Sequence, residues 1–276
     1  MPISPRPNEQ PYAPMPMAFR LLHQFERFLA RHSPLGDPPV YNSADFAWIP
    51  ALEARWQEIA NEYHHLLASA EPIPPFHEIS PEQLPITNDA LWRTFVFYAY
   101  GIQAPRNCAL CPRTAALVRA IPGMQTAMFS ILEPGKQLPL HRGPYKGLLR
   151  VHLALEVPSH QAKSPQQSVC ATESNPLQIK PVEPHDSTCW IEVDGIRLHW
   201  HEGCALIFDD TYMHRAANES RSRRGVLFID ILRPLDRRAD WINRTLIALI
   251  RRSPFGTRAR RVFERWYQRH GISVDA

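Results

Sequence analysis

Cys189-Trp-Ile-Glu-Val193, Asp194-Gly195 and Ile196-Arg-Leu-His-Trp200 read as two short strands joined by a two-residue turn. Asp-Gly tolerates the two left-handed residues of a type I′ turn, whose twist matches paired antiparallel strands. Working outward, Leu148-Leu-Arg-Val-His-Leu-Ala-Leu-Glu-Val157 places Arg150, His152 and Glu156 on one face and apolar residues on the other. Ala127-Met-Phe-Ser-Ile-Leu132 precedes a Pro134-Gly135 turn, and Ala205-Leu-Ile-Phe208 and Val226-Leu-Phe-Ile-Asp-Ile231 are further short apolar runs. Thr94 to Tyr100 is strand-like by composition. Many short strands with turns between them predict a mainly β sandwich or barrel with flanking helices.

The helices lie on either side. Met17 to Leu29 carries Phe19, Leu22, Phe25 and Leu29 at helical spacing. Ala51 to Leu67 predicts one amphipathic helix, with Leu52, Trp56, Ile59, Tyr63 and Leu66 on one face. Arg113 to Arg119 follows Pro112, which suits a first helical turn. Ser159 to Thr188 is polar and aperiodic, a long loop inserted between strands. After Pro234 the chain turns basic, with ten arginines from Arg237 to Arg269 against Asp236, Asp240 and Glu264. These interleave with Trp241, Ile242, Leu246, Leu249 and Ile250, so basic amphipathic helices are expected. Either they cap the β core or they meet a membrane surface. The expected organisation is an N-terminal arm and helix over 1–47, a β domain over 48–235 and a basic helical tail over 236–276.

Bulk composition narrows the function classes. The 276 residues can bury a sizeable core. A formal net charge of +4 does not call for nucleic acid, and none is expected as a partner. Twenty-eight prolines oppose a helical bundle. Five cysteines, Cys108, Cys111, Cys170, Cys189 and Cys204, have no framework spacing, so reduced thiols and a cytoplasmic setting are expected. Cys108 and Cys111 have zinc-knuckle spacing but no second pair. There is no apolar leader-like run and no stretch long enough to cross a bilayer. Contact with the inner membrane would therefore be peripheral.

The residues that could carry chemistry cluster in the β region. His141 is expected in a turn, and His214 follows Phe208-Asp-Asp-Thr-Tyr-Met at the end of a strand. Arg150 and His152 share a strand face, and Arg224 opens the next apolar strand. Two histidines with arginines aimed inward suit a metal and an anionic cosubstrate, because neutral imidazole binds iron(II) and arginine grips carboxylates in a fork. Hydrogen-bonded structural histidines have the same spacing, and both readings stand on this evidence.

Two longer motifs go further. His141-Arg-Gly-Pro-Tyr-Lys-Gly-Leu-Leu-Arg-Val-His-Leu153 and Trp200-His-Glu-Gly-Cys-Ala-Leu-Ile-Phe-Asp-Asp-Thr-Tyr-Met-His214, then Arg224 and Leu227-Phe-Ile-Asp-Ile-Leu-Arg-Pro234, resemble the aspartyl/asparaginyl β-hydroxylase family. The resemblance runs from about Trp48 to Pro234 and is closest to the bacterial lipid A and ornithine lipid hydroxylase branch. It implies a double-stranded β-helix, jelly-roll or cupin-like, and dioxygenase chemistry with Fe(II), 2-oxoglutarate and O2. It implies His141 and His214 as metal ligands, and Ser130 and Arg224 on the distal carboxylate of 2-oxoglutarate. His152 and Arg150 would lie against the oxo-acid end or the primary substrate. The family lacks the usual third carboxylate ligand, and Gly143 stands at that position here. Asp210 would order a water in its place. Peptide-acting members carry an arginine where this chain has Leu148. A lipid acyl chain is therefore the expected substrate, with peptidyl Asp/Asn, a small metabolite or a non-catalytic binding module as alternatives.

Overall fold

The computed structural model describes residues 17–99, 101–158 and 188–271. In chain order these form α1 (Met17–Arg31), β1 (Val40–Tyr41), α2 (Ile49–Glu53), α3 (Trp56–Ala68), α4 (Phe76–Ile79), β2 (Trp92–Ala99) and β3 (Ile102–Gln103). Then come α5 (Pro105–Leu110), α6 (Pro112–Arg119), β4 (Met124–Leu132), β5 (Gln137–His141), β6 (Leu148–Glu156), β7 (Cys189–Val193) and β8 (Ile196–Leu198). The last are β9 (Ala205–Phe208), β10 (His214–Asn218), β11 (Arg224–Leu232), α7 (Arg237–Arg252) and α8 (Pro254–Arg269).

Two antiparallel sheets face each other, a seven-stranded one in the order β1-β9-β6-β11-β4-β2-β3 and a four-stranded one in the order β5-β10-β7-β8. This is the double-stranded β-helix with flanking helices. Strand alternation gives the large sheet two different faces. Phe95, Phe97, Phe129, Ile131, Val151, Leu153, Leu227 and Ile229 point outward and are covered by Ile59, Tyr63 and Leu66 of α3 and Val118 of α6. Met128, Ala154, Val226, Phe228 and Phe208 point inward, towards Leu138, Ile191, Val193 and Ala216 of the small sheet. Polar side chains on that inner face are therefore desolvated, and the sheets hold them at fixed register.

The Asp194-Gly195 turn has φ of 50° and 78°, the left-handed pair that joins β7 to β8. Other expectations needed correction. The single helix expected over 51–67 is broken at Ala54 and Arg55 into α2 and α3. The break lets the Glu53 carboxylate accept the backbone N–H of Ala205 at 2.8 Å. His141 is not in a turn but ends β5. Pro139 had disguised that strand, and it is tolerated because β5 is an edge strand with a side that needs no N–H donor. His214 opens a strand, β10, rather than closing one. Cys108, Cys111 and Cys189 are buried free thiols. Burial pushes Cys111 up to about 12, the environment of an inert thiol. Cys204 is disulfide-bonded, against the expectation of reduced thiols throughout. The loop expected over 159–188 lies outside the described residues except for Thr188.

The basic tail packs on the β core. Phe263, Trp266 and Tyr267 of α8 are buried with the inner-face residues. Trp266 Nε1 donates to Glu78 of α4 at 2.6 Å, and Asn107 of α5 donates to the Tyr267 hydroxyl at 2.7 Å. Asp236 caps α7 by accepting from the N–H groups of Arg238 and Ala239, both at 3.0 Å. Asn243 of α7 donates to Gly147 O at 2.9 Å, which holds the segment between β5 and β6. No helix among the described residues is long and apolar enough to cross a membrane.

A buried ion cluster ties the loops of one end together. Arg233, fully buried, donates to Asp209, to Lys146 O at 2.8 Å and to the Tyr41 hydroxyl at 2.8 Å. Lys146 Nζ reaches Asp209 at 3.0 Å and Asp37 at 2.8 Å. Removing one partner of such a cluster leaves an uncompensated buried charge, at a cost of about 3–5 kcal/mol. Asp209→Ala is therefore expected to lower the unfolding free energy by about that much in urea denaturation. A loss below about 1 kcal/mol would show that Asp37 alone compensates Arg233 and Lys146.

Candidate metal centre

His141 and His214 are direct cross-strand partners in the β5–β10 ladder. Their rings sit 4.1 Å apart between centroids. A register irregularity follows His214, and such irregularities re-aim side chains near sites. Each imidazole is oriented in the same way. His141 Nδ1 lies 2.7 Å from Pro139 O, and His214 Nδ1 lies 2.9 Å from Tyr212 O. A carbonyl can only accept, so both Nδ1 atoms carry the proton and both Nε2 lone pairs are free. Burial lowers the pKa of both rings. His214 falls to about 3, with the neighbouring His141 adding to the effect. Two neutral imidazoles with fixed tautomers are the kind of donor pair that could hold a transition metal.

Among the described residues no group of three or more His, Cys, Asp or Glu side chains is arranged around a common point. Gly143 explains the missing third ligand. A Cβ there would run into the Asp210 carboxylate. Gly143 N–H also donates to Asp210 O at 2.6 Å. The space that a side chain at 143 would need is taken by an acid from the loop between β9 and β10. Asp210 is itself paired with Arg150 at 2.8 Å, and Arg150 Nε donates to Asp230 at 3.0 Å. Burial raises the Asp210 carboxyl to about 6 against the opposing pull of Arg150, with Asp230 and Asp209 adding repulsion.

Deeper between the sheets lies a second set of donors. Arg224 is 2% exposed, and its Nε is buried without a hydrogen-bond partner. One of its terminal nitrogens donates to Ser130 O at 3.2 Å, and its guanidinium lies over the Trp200 ring at 4.5 Å. Burial lowers its pKa to about 10, which leaves it a cation at neutral pH. His152 Nε2 is likewise buried without a partner. Trp200 Nε1 donates to His152 Nδ1 at 3.4 Å, which puts the imidazole proton on Nε2. Burial, Arg224 and Arg150 hold the His152 pKa well below its ordinary value. Ser130 Oγ accepts from Trp92 Nε1 at 3.0 Å. The Ser130 hydroxyl, His152 Nε2–H and Arg224 Nε–H are thus desolvated donors on one sheet face. Such groups are costly unless something anionic meets them.

The expected residues therefore separate by place. His141 and His214 meet as a pair, with Asp210 and Arg150 beside them. Ser130, His152 and Arg224 form the anion-binding group. Arg150 is engaged by Asp210 and Asp230 rather than left open for an oxo-acid. Sequence reasoning missed the positioning roles of Trp200 and Trp92, and it missed Asp230. Asp230 falls on the alternation Arg224, Val226, Phe228 and Asp230, which marks the inner face of β11.

A cavity of about 680 Å³ opens beside His141. His141, Gly143, Arg150, Asp210 and Asp230 line one end. Val96, Met128, Phe228, Phe76 and Ile79 continue it, and Leu246, Ile247 and Ile250 of α7 with Phe263 of α8 form the far wall.

The model of the aspartyl/asparaginyl β-hydroxylase family matches residues 53–234, and the chain belongs to that family. It is 38% identical over 249 residues to an ornithine lipid ester-linked acyl 2-hydroxylase of Rhizobium tropici, covering 90% of this chain and 80% of that protein. It is 25% identical over 191 residues to the human aspartyl/asparaginyl β-hydroxylase, covering 67% of this chain and 21% of that protein. A solved prolyl-4-hydroxylase of Pseudomonas putida aligns over 77% of this chain and 98% of its own at 15% identity, with a TM-score of 0.38.

With only two imidazoles available, losing one leaves no chelate. Calorimetric titration with Co(II) should show one site per chain in the wild type and none in His141→Ala or His214→Ala. Wild-type affinity in either variant would reject the assignment.

Proposed function

We propose that this family member is an Fe(II)- and 2-oxoglutarate-dependent dioxygenase that hydroxylates an unactivated C–H bond of a lipid acyl chain. The observation that carries the reading is the grouping of three features on the inner side of the sheets: two imidazoles whose Nδ1 atoms are both held by backbone carbonyls, the buried donors of Ser130, His152 and Arg224, and a largely apolar cavity that reaches His141. His141 and His214 would hold the iron, and the donors of Ser130, His152 and Arg224 suit 2-oxoglutarate. Bound there, iron and 2-oxoglutarate supply the oxidising power that no side chain has.

The chain's own residues do the rest. Arg224 and Ser130 bind the distal carboxylate, with Trp200 under the guanidinium to fix its plane. His152 offers Nε2–H to a further oxygen of the anion. Asp210, held by Arg150, accepts from a water beside the histidine pair and so completes the polar side of the site. The inner-face apolar residues exclude bulk water, which strengthens each charge-assisted hydrogen bond. The far wall of the cavity is aliphatic and aromatic, and its volume lies within the range of small-molecule and cofactor sites.

Iron, 2-oxoglutarate and a panel of acylated lipids test the reading, with succinate release and the mass of the product lipid as readouts. Arg224→Ala should raise the KM for 2-oxoglutarate steeply. Truncating one partner of a buried charge pair costs about 2–5 kcal/mol. Arg224→Lys should recover only part of that, because lysine lacks the fork. A KM near wild type in Arg224→Ala would assign the carboxylate to another cation.

A peptidyl Asp or Asn substrate is the second reading, supported by the family name and by the human relative. The lining opposes it. Leu148, which stands where peptide-acting members carry an arginine, is one of the cavity residues. Ile250→Trp narrows the far end of the cavity without touching the histidines. It should shorten the longest acyl chain turned over while leaving the KM for 2-oxoglutarate unchanged. An unaltered chain-length profile would remove the acyl chain from this cavity.

A further inference from the structure

α7 has two faces with different chemistry. Its inner stripe, Leu246, Ile247 and Ile250, lines the cavity beside the metal centre. Its outer stripe carries Arg237, Trp241, Arg244 and Arg252, all exposed and spaced to share one side of the helix. Trp241 is 69% exposed and Leu249 is 59% exposed. Packing on the core does not account for either, because Ala239, Asn243 and the inner stripe already meet it. The only acid in α7 is Asp240, which pairs with Arg244 at 2.7 Å. α8 repeats the pattern. Its exposed face carries Arg258, Arg261, Arg265 and Arg269, spaced three, four and four residues apart. Its one acid, Glu264, pairs with Arg260.

We propose that the outward face of α7 and α8 docks the enzyme on an anionic phospholipid surface, with Trp241 and Leu249 entering the interface. The commitment to lipid rests on two observations. The face is cationic along two successive helices, which complements acidic headgroups. The exposed tryptophan and leucine belong to the helix whose opposite face walls the cavity, so the same element meets lipid outside and acyl chain inside. A nucleic acid would use the arginines and stack on Trp241, but it would leave Leu249 without an apolar partner, as would an acidic protein surface. Among the described side chains of the tail, the large aromatics Phe263, Trp266 and Tyr267 are buried in the core and take no part. The inference builds on the acyl-chain reading above, but its test needs neither iron nor turnover.

The full chain is sedimented with phosphatidylglycerol/phosphatidylcholine vesicles and with pure phosphatidylcholine vesicles at low and high salt. Binding is expected to the anionic vesicles only and to weaken with salt. Each arginine near an anionic surface is worth about a fivefold change in partition, so Arg237→Gln/Arg244→Gln/Arg252→Gln should lose on the order of a hundredfold. Arg258→Gln/Arg261→Gln/Arg265→Gln should lose a similar amount. Co(II) titration confirms in each case that the fold persists. Brominated lipid should quench the wild-type fluorescence more than that of Trp241→Phe, which reads insertion separately from charge. Equal or negligible binding to both vesicle types overturns the proposal while leaving the hydroxylase reading intact. So does a single-stranded oligonucleotide that binds more tightly than the anionic vesicles, or quenching that Trp241→Phe leaves unchanged.

Discussion

The buried contact between Arg233 and Asp209 sets the frame on which the histidine pair is built. Arg233 follows the last strand of the large sheet, and Asp209 opens the loop that carries Asp210 and leads to His214. Through Lys146 the same cluster holds the loop that begins at Arg142, just after His141. The two histidines come from different strands of the small sheet, yet both adjoining loops are fastened to one charge cluster at the end of the large sheet's strands. A slack loop on either side would let one imidazole move away from the other. Buried ion pairs are poor sources of net stability but are costly to misalign, because a partly paired charge in a dry interior is expensive. Here that intolerance fixes geometry.

Most of the architecture was legible in the sequence because its sheets are regular. The alternation in 148–157 and the Asp194-Gly195 turn encode strand and hairpin directly, and the tail's periodicity encodes α7 and α8. Where reading failed, a local signal was overridden by a distant contact. Pro139 looks like the end of a strand, and only the edge position of β5 makes it acceptable within one. The break between α2 and α3 goes with the contact of Glu53 with Ala205, which no window of sequence contains. The odd cysteine count said nothing about which thiol would be oxidised.

For the candidate site, the histidines, Ser130, His152 and Arg224 were legible through motif resemblance and strand alternation. The groups that orient them were not. Trp200 and Trp92 act through ring nitrogens whose targets lie on other strands, far away in sequence. The reason Gly143 must be glycine was equally hidden. Its neighbour in space is Asp210, and that proximity exists only once β5 and β10 pair. Sequence shows the donors of a site more readily than the geometry that leaves them without partners, and it is that unmet bonding capacity which points to a ligand.

The two-faced α7 has a consequence for substitution. The iron-ligand candidates and the anion-binding donors sit entirely within the two sheets, whereas the far wall of the cavity comes from helices that follow them in the chain. Substitutions in α7 can therefore remodel what the cavity accepts without disturbing a strand register or a buried charge. The residues that shape the cavity and the residues that hold the histidine pair and the buried donors therefore lie on separate parts of the chain. A change in one helix can alter the cavity while the strands that carry those donors keep their register.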